Sequence, residues 1–381
     1  MAFLRNRAVN WLNLHSGVRS LAEGIGGVFV LVFLLRAGIS IPSSLLAMGL
    51  IFAIRFAIRP AVLVAATRVG LKPLIVGGSI VNGLQYLVLA QVTGVDLFLL
   101  AYCAVCAVGD TFFWTSYHGY MSLVGDDEHR GHQVGAGVAL SALAGIVGPL
   151  AGAFALVTFG PRAMFGAAAL VQGLATLPLL GLPNLEVPRT APGALSAALP
   201  GVGLFMSDGW FATTHFLVWH IMLYVSLGES VAAYGGAMAF AALVGAVSGL
   251  LLGRHIDAGH GKRGTLIAYF VICLTLGVRM LSETAPWIAV LGNALGALGS
   301  CLLGPAQMVP VYILAKDSPC ALRFHIASEG GWDVGCMAGC LVSAFFLAHG
   351  ASLAEVTPLA LAGVGGQLYL LRRYYRQLEA W

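Results

Sequence analysis

The sequence predicts an all-α integral membrane protein with twelve transmembrane helices in two pseudo-symmetric six-helix bundles. Three observations predict it. Of 381 residues, 59% are hydrophobic and only 9% are charged, against roughly 25% charged in soluble domains, and mean hydropathy is +0.89. The apolar residues fall into twelve continuous runs, each near the roughly 20 residues a helix needs to cross ~30 Å of hydrocarbon. One long hydrophilic interruption, residues 183–200, divides those runs six and six.

The elements follow in order. The first run, about 19–38, contains Glu23 and lacks a small-x-small cleavage site, so it reads as a span and not as a removable leader. The second, about 42–66, carries Arg55 and Arg59 just before Pro60; the third covers about 73–93. A polar stripe marks the fourth, about 97–120, and a Gly-Pro element the fifth, about 133–157; the sixth is about 163–182. In the second half the runs lie at about 200–227, 231–252, 264–282, 286–314, 326–348 and 353–371. They are continuous, not alternating, which excludes a β-barrel. Fifty glycines suit membrane helices that approach closely. The expected organisation is a first bundle over 1–182, a linker over 183–200 and a second bundle over 201–381. Pro183, Pro188, Pro192 and Pro200 make that linker semi-extended.

Orientation follows from lysine and arginine. With an even number of spans both tails share a side, and fifteen of the 20 cations fall there, Arg19 among them. Three, Arg36, Arg162 and Arg279, are assigned to the opposite face, and Arg55 and Arg59 lie within a span. Both termini are therefore expected in the cytoplasm of a multi-pass cell (inner) membrane protein, and the net charge of +4 is a topology signal, not a nucleic-acid patch. Seven cysteines, an odd number, do not form a disulfide framework.

The halves echo one another. Arg130 and His132 open the fifth span as Arg323 and His325 open the eleventh. Glu23 sits early in the first span and Asp208 early in the seventh. Between the eighth and ninth spans stands a charged turn, Gly253-x-x-x-Asp257-x-x-x-Gly261-x-Arg263; Arg68-Val-Gly70-Leu-Lys72 after the second span is its degraded copy. This turn resembles the signature loop of the major facilitator superfamily. Gly145, Gly148, Pro149 and Gly152 also resemble the Gly-Pro element of that family's antiporters. Two departures stand out: Thr67 replaces the first-half Asp, and the fourth span has no arginine. The resemblance covers essentially the whole chain. It implies the superfamily's fold, action as a monomer, and a conformational gate at Gly253, Asp257, Gly261, Arg263, Arg130, Gly148 and Pro149.

Ionisable groups inside a membrane are expensive, so each is a site candidate. Arg55 needs a carboxylate, for which Glu23 and Asp110 are available, or an anionic ligand; a structural ion pair or snorkelling is the bland reading, favoured for Arg59. On the fourth span Cys103, Cys106, Asp110, Trp114 and Tyr117 recur at steps of three and four and share one face. A buried Asp110 suits proton binding and release. On the seventh, Asp208, His215 and Met222 recur every seven residues beside Trp210, Trp219 and His220; the resemblance places that span on the central cavity. On the eleventh, Glu329 is expected to pair with Arg323 or a loop cation, and Asp333 stays a pathway candidate.

The leading reading is a secondary transporter of a small molecule, coupled to protons and working by alternating access, with export favoured by the Gly-Pro element. No cofactor and no ATP-binding signature is expected; the partners are the substrate, H+ and the lipid bilayer. The alternatives are copper import, since Cys103, Cys106, His215, His220, Met222, Cys336 and Cys340 are soft or borderline ligands, an intramembrane enzyme, or a receptor. No spacing forms a tight metal motif, and Gly109-Asp110 has no Tyr-Asp partner.

Overall fold

The computed structural model describes residues 6–124, 130–256 and 261–379, with backbone alone for 130–136, 138–139, 249–256, 261–264, 305 and 377–379. The first half consists of α1 (Arg7–Arg36), α2 (Ile41–Val69), α3 (Leu71–Leu89), α4 (Leu97–Val124), α5 (Arg130–Thr158) and α6 (Pro161–Gly181). In the second, α7 runs from Leu199–Ala212 through a π-turn, Thr213–Val218, into Trp219–Ser226. It is followed by α8 (Val231–Ile256), α9 (Gly261–Met280), α10 (Pro286–Asp317), α11 (Ala321–Ala348) and α12 (Ala360–Glu379). Among the described residues, nine helices are long and apolar enough to cross a membrane; α3, α7 and α12 fall outside that set. Lys72, Asn82 and Gln85 dilute α3, the wide turn interrupts α7, and α12 ends in Arg372, Arg373 and Arg376. Leu143, Phe154, Leu170 and Phe270 are exposed on the surface. In water such faces aggregate; in a bilayer they meet lipid. The chain is a multi-pass membrane protein.

Capping decides where the helices begin. α1 starts at Arg7, well before residue 19, because the Asn6 side chain accepts from Val9 N at 3.2 Å and satisfies an otherwise orphaned amide. Arg19 is consequently buried inside α1, not in a tail. Asp96 precedes α4 and accepts from the amides of Thr93 (3.0 Å) and Leu99 (2.9 Å). Those two backbone donors hold its carboxyl below the usual range.

The most extensive packing pairs of the first half recur six helices later: α1 on α5 as α7 on α11, α2 on α4 as α8 on α10, α3 on α4 as α9 on α10. Across the halves, α2 packs on α11 and α5 on α8, a combination that maps onto itself under the same repeat. The 183–200 segment is tied to both halves. Asn184 accepts from Lys72 N (3.1 Å) and donates to Val69 O (2.8 Å), clasping the α2–α3 turn. That turn needs Gly70, whose φ of +82° would strain any side chain. Nearer the middle of the segment, Arg323 Nη2 donates to Arg189 O at 2.6 Å.

The Gly-Pro element seats α5 against α1. A Cβ on Gly148 would lie 2.7 Å from Gly24 Cα, and one on Gly152 would collide with the Ile25 carbonyl. The same stretch faces the other half, since a Cβ on Gly235 of α8 would lie 2.8 Å from Pro149 O. Gly148→Val should therefore destabilise the detergent-purified protein by about 1–3 kcal/mol through overpacking. Gly166→Val, where a Cβ meets open space, should leave the thermal unfolding midpoint unchanged; equal midpoints for both variants would contradict the contact. Of the expected gate, Asp257 lies outside the described residues; Gly253, Arg130, Gly261 and Arg263 are described by backbone only.

Candidate transport site

Five ionisable side chains meet where α2, α4 and α11 converge. Arg55 Nη1 donates to Asp110 Oδ2 at 3.2 Å, and its Nη2 lies 3.6 Å from Glu329 Oε2. Arg55 Nε lies 2.8 Å from Asp333 Oδ1, out of line for a hydrogen bond, so this contact is an ion pair only. One turn on, Arg59 Nε donates to Asp333 Oδ2 at 2.9 Å, its Nη2 contacts the same oxygen, and its Nη1 donates to Thr115 Oγ1 at 2.7 Å. All except Asp110 are buried, Asp333 completely. A spacing of four residues on α2 stacks Arg55 above Arg59, and the same spacing on α11 stacks Glu329 under Asp333. The two ladders interdigitate because α2 and α11 are cross-half neighbours.

Of the two structural readings of Arg59, the structure has the ion pair and not snorkelling: buried in the helix contact, its charge is met by Asp333 before it could reach water. One expectation is corrected here. Glu329 does not pair with Arg323 or a loop cation; it points into the bundle towards Arg55 and Arg59. Its other oxygen lies 3.5 Å from His118 Nε2. His118 in turn bonds Tyr312 OH of α10 at 2.8 Å and stacks on His325. His325 bonds Ser122 Oγ at 2.9 Å. Sequence reasoning passed over His118, although it follows Trp114 by four residues on the face already marked as polar.

Beside this cluster lies a cavity with two lobes. One lobe, about 370 Å³, is walled by α1 to α4 and α7 and includes Asp110, Trp114 and Arg19. The other, about 300 Å³, lies between α1 and α5 of the first half and α7 to α10 of the second. Glu23 and His220 line both lobes. Glu23 does not reach Arg55; its Oε1 lies 2.6 Å from Arg19 Nη2. The Arg19 guanidinium in turn sits 4.4 Å from the Trp114 ring centroid. Bonds between the halves flank the cavity on both sides. Arg59–Asp333 and His118–Tyr312 lie towards the face bearing the termini, and Tyr234 OH donates to Val28 O at 2.8 Å on the other side.

Sequence reasoning put Arg279 at an outer face. It is buried, 3% exposed, and lines the second lobe. Its Nη1 donates to His215 O at 2.8 Å and lies 3.1 Å from His215 Nδ1; its Nε donates to Gly292 O at 3.2 Å. Trp219 stacks below the guanidinium at 4.2 Å and is held there by Asn293 Oδ1, 2.9 Å from its Nε1. The π-turn of α7 contains His215, and such turns often mark functional sites. Of the other predicted residues, Asp208 lies away from the cavity, accepting from Gln367 Nε2 at 2.6 Å, and Tyr117 bonds Ser16 at 3.1 Å. The soft ligands are dispersed: Cys103 donates to Ala47 O and Cys336 to Gly209 O. Among the described residues no three His, Cys, Asp or Glu side chains converge in a group that could hold a metal.

Comparison with known proteins agrees with this architecture. No curated protein matches. The crystal structure of the human organic anion transporter MFSD10 (TETRAN) superimposes with a TM-score of 0.70 at 15% identity, covering 96% of this chain and 99% of that one. At that identity the likeness concerns the fold alone. A family model described as Major Facilitator Superfamily matches residues 16–319. Its extent covers α2 to α10 and most of α1, on which the cavity is built. The chain thus belongs to the major facilitator superfamily and is a transporter of small molecules within the bilayer, not an enzyme.

Proposed function

We propose that this chain is a proton-coupled secondary transporter that carries a small organic molecule by alternating access. The observation that carries the proposal is the charge cluster between the halves. Two guanidiniums, Arg55 and Arg59, face three carboxylates, Asp110, Glu329 and Asp333. With all three ionised, one negative charge is in excess in a low-dielectric setting, and one proton balances it. Asp110 borders the cavity, whereas Glu329 leads through His118 to Tyr312 on the side of the termini. A proton entering at Asp110 and leaving by Glu329 and His118 crosses the contact that must open when the halves rock. Protonation weakens the hold of α11 on α2, which biases the equilibrium between the two access states.

Twelve crossings, domains of 1–182 and 201–381 joined by 183–200, and cytoplasmic termini in a cell (inner) membrane complete the reading. One chain holds both halves, so a monomer suffices. The Gly145–Gly152 stretch, packed on α1 and α8 at once, supports a gating role and export as the direction. To test coupling, compounds that raise the thermal midpoint at pH 5.5 or 7.5 are added to proteoliposomes loaded with a pH-reporting dye. Each transported compound should change the lumenal pH, and a protonophore should abolish that change. Movement of a compound with constant lumenal pH would rule out proton coupling.

A further inference from the structure

Four arginines are buried among the described residues: Arg19, Arg55, Arg59 and Arg279. The first three each touch a carboxylate. Arg279 differs, because all its described partners are neutral: two backbone carbonyls, an imidazole nitrogen and the face of Trp219. Arginine does not lose its proton in a protein, and a buried cation without a counter-ion is costly. Its donors are also incompletely used. Nε and Nη1 are engaged, whereas Nη2 donates to no described protein group. Nη2 instead rests over Gly296, where an added Cβ would collide with it. Gly296 and Arg279 both line the 300 Å³ lobe.

The surroundings narrow what the free donor meets. Arginine only donates, so His215 Nδ1 must accept from it, and the ring hydrogen sits on Nε2, which donates to Ser300 Oγ at 3.2 Å. The imidazole is therefore neutral and Arg279 supplies the positive charge on that wall. Phe216 and Trp219 make the neighbouring surface apolar. Glu23, on the α1 wall of the same lobe, opposes a second negative charge.

Building on the transporter reading, we infer that the cargo is a small organic monocarboxylate with an apolar body, and that Arg279 reads its carboxylate. The carboxylate takes the place of the missing counter-ion at Nη2, and the body lies against Phe216 and Trp219. His215, Asn293 and Gly296 are positioning residues. The first two fix the guanidinium and the ring beneath it, and the third leaves room for Nη2. A dianion such as phosphate would keep one charge uncompensated opposite Glu23.

The test is calorimetric titration of the purified full-length protein at pH 7.5. The probes are monocarboxylates from butyrate to decanoate, benzoate, phenylacetate and indole-3-acetate, each beside its primary amide. At least one acid should bind, with its amide weaker by about 30-fold or more, the scale of a charge-assisted hydrogen bond. Arg279→Gln should lose the same factor, and Arg279→Lys should fall between. If Arg279→Gln does not fold, the acid–amide comparison on the unmodified protein decides alone. No binding by any acid, equal binding by the amides, or unchanged affinity in a folded Arg279→Gln would overturn the inference. The same proteoliposomes separate the two readings. Acid binding without proton-linked movement sinks the coupled carrier and keeps the carboxylate site. Proton-linked movement of a neutral compound without acid binding does the reverse.

Discussion

Replacing Asp333 with alanine should destabilise the detergent-purified protein by about 3–5 kcal/mol, the cost of leaving buried charges without their partner. Asp333 is fully buried and holds both Arg55 and Arg59. Without it, Glu329 and Asp110 remain for two guanidiniums, and Glu329 is 3.6 and 3.9 Å from them, too long for good hydrogen bonds. Loss of the Asp333 bridge also removes the closest polar link of α2 to α11, so the damage concerns the halves' contact and not one helix. Removing both members of the Arg59–Asp333 pair, as Arg59→Met with Asp333→Leu, should restore most of the stability. Buried ion pairs replaced by apolar groups of similar volume are often neutral, and Arg55 keeps Asp110 and Glu329. Thermal unfolding of the two variants checks this. A single variant as stable as the parent would mean that Asp333 does not hold the arginines, and a double variant no better than the single would point to packing.

That network shows how far the sequence can be read. Apolar run lengths located the spans, and the cost of intramembrane charge singled out Arg55, Asp110 and Asp333 one by one. Helical periodicity put Asp110 and Trp114 on one face of α4. Periodicity reports the face of a single helix, however, and is blind to the helix opposite. Arg59 and Asp333 are 274 residues apart in the chain, and only the pairing of α2 with α11 joins them. For the same reason the sequence points Glu329 to Arg323 or a loop cation, and leaves open whether Glu23 or Asp110 meets Arg55. Arg279 was misplaced for a different reason. It stands near the end of an apolar run, where sequence alone suggests an interface, yet α9 packs on α10 and α12 and its Arg279 side chain turns inward to His215 and Trp219 of α7. The fifteen-to-three cation bias loses one residue from each side, Arg19 and Arg279, and keeps its sign.

Asp110→Asn should abolish gradient-driven accumulation while leaving exchange intact. Asparagine keeps the shape of the side chain and an acceptor for Arg55 Nη1, now 3.2 Å from Asp110, so the variant should fold and insert. What changes is the charge: two guanidiniums then face two carboxylates, the balance the parent reaches only after taking up a proton. The variant thus behaves as a permanently protonated carrier. It can reorient with cargo in both directions but has no proton to release. In the parent, with one proton exchanged per cargo molecule, a pH difference of one unit supplies about 1.36 kcal/mol and supports about tenfold accumulation. In Asp110→Asn the ratio should fall to about one, with counterflow of labelled against unlabelled cargo close to the parental rate. Both quantities come from one preparation of proteoliposomes, the first with an imposed pH step and the second without. Tenfold accumulation in the variant would move the proton site to Glu329 or His118, the next groups along the chain towards Tyr312. Loss of counterflow together with accumulation would instead make Asp110 part of the hinge that lets α4 move, because exchange needs reorientation but no net proton transfer.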